Sequence, residues 1–177
     1  MSKISVLPVV EGHLATLYDQ RTQKTSPVDV ATFFGLPGAL AVVLVAMKFG
    51  YRVDAVNGFL NAFAILTGLL LNLLILVFTL ASTTSVTKMD PRKRRDLLRE
   101  IFANVCYCIV IAVGVVVSAV TALSYMRSTQ GAVSGPIATF LLTFLGLSFV
   151  LTLLMIVKRM YILMNKELEI ANYHQEG

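Results

Sequence analysis

Tryptophan is absent from this chain, cysteine and histidine are scarce, and charged residues make up only 14% of its 177 positions. Each scarcity excludes something. His13 and His174 stand near opposite ends, and there is no HExxH, CxxC or glycine-rich phosphate loop, so no recognisable catalytic or metal-binding constellation is present. Serine and threonine are plentiful, but inside the apolar stretches no base accompanies them, and the chain is read as a non-enzyme without cofactors. Cys106 and Cys108 lie two positions apart, which on a helix points them in widely different directions and argues against a disulfide or a shared metal. The missing charge matters most. The four apolar blocks contain no Asp, Glu, Lys, Arg or His except Lys48 at one edge. Proton pumps and ion-coupled transporters bury such groups, and their absence weighs against both.

What is present is apolar: 56% of residues are hydrophobic and the mean hydropathy is +0.78, well outside soluble globular composition. The blocks run over about 31–49, 56–80, 103–125 and 137–157, each near the ~20 residues that a spanning helix needs. The expected fold is therefore all-α and polytopic, four transmembrane helices in an antiparallel bundle. Placing both termini inside puts twelve of the fifteen Lys and Arg on the cytoplasmic side and three outside, which predicts an N-in/C-in topology. Residues 1–30 then form a cytoplasmic amphipathic segment, 81–102 a basic cytoplasmic linker and 158–177 a cytoplasmic helical tail.

Local signals refine this. Val6, Val10, Leu14, Leu17 and Tyr18 predict a short amphipathic helix from about Pro8 to Gln23. Ser26-Pro27-Val28-Asp29 is a helix start, and Pro37 within FFGLPG should bend or loosen the first spanning helix. The link Gly50 to Asp54 allows only a tight hairpin, which predicts that the first and second spanning helices are neighbours, with Tyr51 and Arg52 at headgroup level. Asp90-Pro91 opens the third helix and Pro136 the fourth.

Candidate functional residues fall into three groups. At about 100° per residue, Asn57, Asn61, Ala64, Gly68, Asn72, Ile75 and Thr79 share one stripe of the second helix, and Phe59, Leu66, Leu70, Leu73 and Val77 lie opposite. Carboxamides left facing lipid lack partners, so the stripe should meet protein or water. It is either interhelical glue within one subunit or the lining of a pore between identical subunits, with Ile75 as an apolar constriction. Arg92, Lys93, Arg94, Arg95 and Arg99 form a basic run suited to anionic lipid headgroups or an acidic partner. Nothing supports nucleic-acid binding, since no recognisable fold and no aromatic platform accompany the charge. Met160, Leu163, Met164 and Leu168 form an apolar ridge beyond the membrane edge that needs cover from the third helix or another subunit. A small-residue stripe, Gly114, Ser118, Thr121, Ala122 and Tyr125, adds a surface for close helix approach. Together these predict a homo-oligomer, a tetramer by preference, with membrane lipids and a cytoplasmic protein as partners.

The layout from about Ser26 to Tyr173, with four spans, both ends inside, an amphipathic start and a basic helical linker, resembles the small multi-helix membrane components of bacterial anti-phage defence systems, the Kiwa system among them. That resemblance implies a bacterial inner-membrane oligomer that senses infection or depolarises the membrane alongside a cytoplasmic partner. The alternatives are a structural or assembly subunit of a larger membrane complex, or a small transporter.

Overall fold

The computed structural model of the protein describes residues 6–16, 18–19, 24–25, 31–82, 91–131 and 133–172. The Ser26 to Asp29 start signal, Asp90 and the side chains of Lys93 and Leu168 lie outside what is described. A short helix α1, Leu7–Thr16, is followed by a two-residue antiparallel ladder of β1, Tyr18–Asp19, and β2, Lys24–Thr25. The four apolar blocks then form α2, Ala31–Ala46, α3, Val53–Ser82, α4, Pro91–Thr129, and α5, Pro136–Asn172. Pro91 and Pro136 each open a helix, as their fixed φ and missing donor favour.

Three of these helices are long and apolar enough to cross a membrane. At 1.5 Å per residue α3, α4 and α5 extend over about 45, 58 and 55 Å, against a hydrocarbon core of about 30 Å. The first block forms a shorter apolar helix. Its helix α2 consists of five π-helical residues, Ala31–Gly35, and eleven α-helical ones, Leu36–Ala46, about 24 Å in all. The π turn sits immediately before Pro37, whose ring would clash with the Phe33 carbonyl in a regular α-helix, and the wider turn relieves that clash.

A departure from expectation concerns helix order. α4 packs against both α3 and α5, while α2 packs against α5 and makes no substantial contact with α3. The tight link between α2 and α3 therefore does not make them neighbours. It is drawn instead to the α4–α5 loop, where Ser134 N donates to Tyr51 O at 2.8 Å and Tyr51 N donates to Ser134 Oγ at 2.9 Å. A Cβ on Gly50 would meet the Ser134 carbonyl oxygen at 2.8 Å, so only glycine permits this approach. Tyr51 is turned into the bundle, its hydroxyl 2.9 Å from Thr143 Oγ1, and Arg52 alone of the pair is exposed.

The core follows a seven-residue repeat. Val56, Phe63, Leu70 and Val77 of α3 are buried at intervals of seven, as are Leu142, Phe149, Ile156 and Leu163 of α5. Between them α4 buries Leu98, Ile101, Val105, Cys108, Ala112, Val115, Ala119, Ala122 and Met126, alternating steps of three and four. This spacing is that of left-handed, knobs-into-holes packing, and the three alanines let the flanking helices come close. Cys108 is buried in this core and Cys106 half-buried, both as free thiols. Two helix ends close without glycine: Lys48 and Gln130 take φ of 55° and 52°, and the following amides of Phe49 and Gly131 bond back to Leu44 O and Met126 O.

Candidate functional site

The α3 stripe faces out. Phe59, Leu66, Leu70, Leu73 and Val77 pack into the bundle, whereas Asn61, Ala64, Gly68, Asn72, Ile75 and Thr79 are exposed and Asn57 is half-buried. Ile75 is 64% exposed, and a Cβ on Gly68 would meet nothing within 4 Å. The physical reason is volume. Phe63 meets Phe149 edge to face at 4.9 Å between centroids, and Phe59 stands 5.2 Å from Tyr51. Both rings lie beside Gly146 of α5, where an added Cβ would stand in ordinary contact 3.6 Å from the Phe59 ring. A face of Asn, Ala and Gly could not fill that space, so the greasy face wins the interior.

This placement corrects the glue expectation as it applies within one subunit. The side chains of Asn61 and Asn72 make no hydrogen bond to any described residue. Thr67 and Thr79, by contrast, satisfy their hydroxyls by donating to Phe63 O and Ile75 O of their own helix.

The basic run divides. Arg94 Nη2 donates to Leu80 O at 3.0 Å, closing the last turn of α3, where a cation also complements the helix dipole. Arg92, Arg95 and Arg99 are exposed. The apolar ridge divides too. Leu163 is 2% exposed and Met160 packs partly against the same core, so the chain's own bundle covers them, and Met164 remains exposed. Of the small-residue stripe on α4, Gly114 touches Leu145 of α5 and Ala122 is buried. Ser118, Thr121 and Tyr125 line an apolar groove of about 500 Å³ with Gly135, Pro136, Ile137 and Leu141.

A second cluster was not singled out from the sequence. His13 of α1 is fully buried, with Nδ1 2.8 Å from Asn104 Oδ1 on α4. Its ring stacks on Tyr107 at 3.9 Å and 7°, and Phe33 and Phe34 from the π turn of α2 meet it edge-on at 6.2 and 6.4 Å. Arg159 of α5, paired with Glu100 of α4 at 3.2 Å, is close enough to oppose a charge on the imidazole. Burial, the largest influence, and the charge of Arg159 push the His13 pKa below 6.5, against the opposing effect of the hydrogen bond to Asn104 Oδ1. The signal was faint but present: Val6, Val10, His13 and Leu17 are spaced four, three and four, which puts His13 on the apolar side of the amphipathic helix.

The fold and these surfaces define a helical chain with three helices able to span a membrane, one of which turns amide side chains away from the bundle. No protein family, curated protein or solved structure matches the chain.

Proposed function

We propose that the protein is a homo-oligomeric, pore-forming or sensing component of a bacterial inner membrane, in which copies of α3 meet through Asn57, Asn61, Gly68, Asn72, Ile75 and Thr79. One observation carries this: Asn61 and Asn72 stand exposed on a membrane-length helix, with no hydrogen-bond partner among the described residues. An amide stranded in hydrocarbon costs about 2–7 kcal/mol, so a protein or water surface must cover the stripe. Packed around a symmetry axis, the amides would line a neutral path of weak ion selectivity, with Ile75 as its apolar constriction. α2 completes a set of four antiparallel helices with both termini cytoplasmic. The exposed Arg92, Arg95 and Arg99 then face anionic headgroups or an acidic cytoplasmic partner.

The test joins size to conductance. Light scattering of the detergent-solubilised protein should give a multimer, and planar bilayers containing it should leak. Asn61→Leu with Asn72→Leu should lower both, each amide contributing about 0.5–2 kcal/mol to association. A monomer that never conducts would remove this function. The same stripe supports a second reading, an assembly subunit whose stripe is covered by a different membrane protein, and that reading expects the isolated chain to be monomeric. A role in anti-phage defence rests on the resemblance of layout alone, and its test is whether the protein changes phage plating when expressed with its genomic neighbours.

A further inference from the structure

The inner cluster stands apart from the α3 stripe, and it holds α1 against the rest of the chain. α1 lies close to α4 at Gly12, where an added Cβ would stand 3.6 Å from Ala103 Cβ. His13 reaches three elements from there: Asn104 and Tyr107 on α4, Phe33 and Phe34 on α2, and the field of Arg159 on α5. We propose that α1 is a pH-responsive clasp, docked across α4 and the π turn of α2 while His13 is neutral and released when His13 takes a proton.

The geometry selects the neutral ring. Asn104 Oδ1 can only accept, so Nδ1 carries the hydrogen of that 2.8 Å bond and the second proton would have to enter at Nε2. The charged group shown to act on the ring is Arg159 on α5, which is paired with Glu100 of α4. α2 offers only Phe33 and Phe34, α4 adds the Tyr107 phenol, and Glu11 on α1 itself is exposed. Burial of the ring and the nearby Arg159 guanidinium both disfavour an imidazolium there. The Tyr107 face attracts a cation, but the ring is wholly shut from water, and the lost hydration outweighs that attraction.

The sign follows from proton binding. An undocked His13 titrates near 6.5 and the docked one lower, so between those values the undocked form holds more protons. The pH effect is negligible above about pH 7.5, and docking weakens as pH falls through 6.5 toward the docked value. The docked-to-undocked ratio falls by at most about tenfold by pH 5.5. Release would withdraw the histidine wedge from the Phe33–Phe34 turn that precedes Pro37, the point where α2 departs from regular geometry. The clasp stands whether or not α3 self-associates.

A disulfide reads the docked state directly, since 3.6 Å lies within the Cβ separation such bonds require. The full chain carries Gly12→Cys and Ala103→Cys, with Cys106→Ala and Cys108→Ala, in nanodiscs where both faces see the buffer. Cross-linking is compared between His13 and His13→Gln chains at the same pH, so that the pH dependence of thiol chemistry cancels. The expected result is equal cross-linking at about pH 7.5 and a several-fold deficit of the His13 chain at about pH 5.5. Parallel falls in the two chains, or no cross-link in the His13 chain at the higher pH, overturn the proposal. Should His13→Gln fail to dock at all, Arg159→Gln decides. With that cation gone a proton is better tolerated in place, so the fall flattens, and a fall of unchanged steepness overturns the clasp.

Discussion

α3 and α4 are both long apolar helices, yet they are used in opposite ways. In their most apolar stretches 44% of α4 is buried and only 17% of α3. α4 is walled in by α1, α3 and α5, and beside its repeat of three and four it also buries Asn104, Tyr107, Ile111 and Leu123. α3 offers a single seam, Val56 to Val77, and turns the rest of its circumference outward, amides included. In water such a polar outer face would be unremarkable. In a bilayer the solvent is apolar, and a polar face turned toward it is the feature that asks for a partner.

Three matched pairs of substitutions test that contrast, the largest effect first. Ile101→Ala on α4 removes a fully buried side chain and should cost about 2–5 kcal/mol in reversible unfolding, while Ile75→Ala on α3 should stay within about 0.5 kcal/mol for the single chain. Equal losses would mean that α3 is as enclosed as α4. Next, Ala119→Leu should overpack the centre and destabilise it by about 1–3 kcal/mol. Ala64→Leu should leave the single chain intact and weaken self-association, read as a smaller mass in detergent. If Ala64→Leu changed neither, the stripe would not be a contact. The smallest effect concerns glycine. Gly68→Ala meets open space and should stabilise the single chain by up to about 1 kcal/mol through helix propensity. Gly114→Ala, 3.4 Å from Leu145 Cδ1, should gain less, and thermal melts of the two variants rank them.

Much of the secondary structure was legible. Block lengths, the Pro91 and Pro136 starts and the loosening at Pro37 are local properties, and each follows from the covalent and steric character of residues a few positions apart. The π turn is the form that the expected loosening takes. Less legible was which face of α3 looks inward. Amphipathicity divides a helix into two faces but does not say which one the bundle claims, and here Phe149 on α5, more than eighty residues from Phe63, supplies the ring against which Phe63 packs edge to face. The His13 cluster escaped because a lone histidine carries no motif. Its meaning depends on Asn104 and Tyr107 of α4 and Phe33 and Phe34 of α2, which the chain brings to it from two other helices.

The sequence alone determined that the chain is helical, that its helices are of membrane length and where most of them begin, because hydropathy, period and proline act over short distances. The tertiary structure decided that α2 sits against α5 instead of α3, that the amides of α3 look outward, and that α1 is pinned by a buried histidine. Those outcomes depend on how volumes fit between segments far apart in the chain, and close packing, unlike hydropathy, is a property of pairs of surfaces and not of either one.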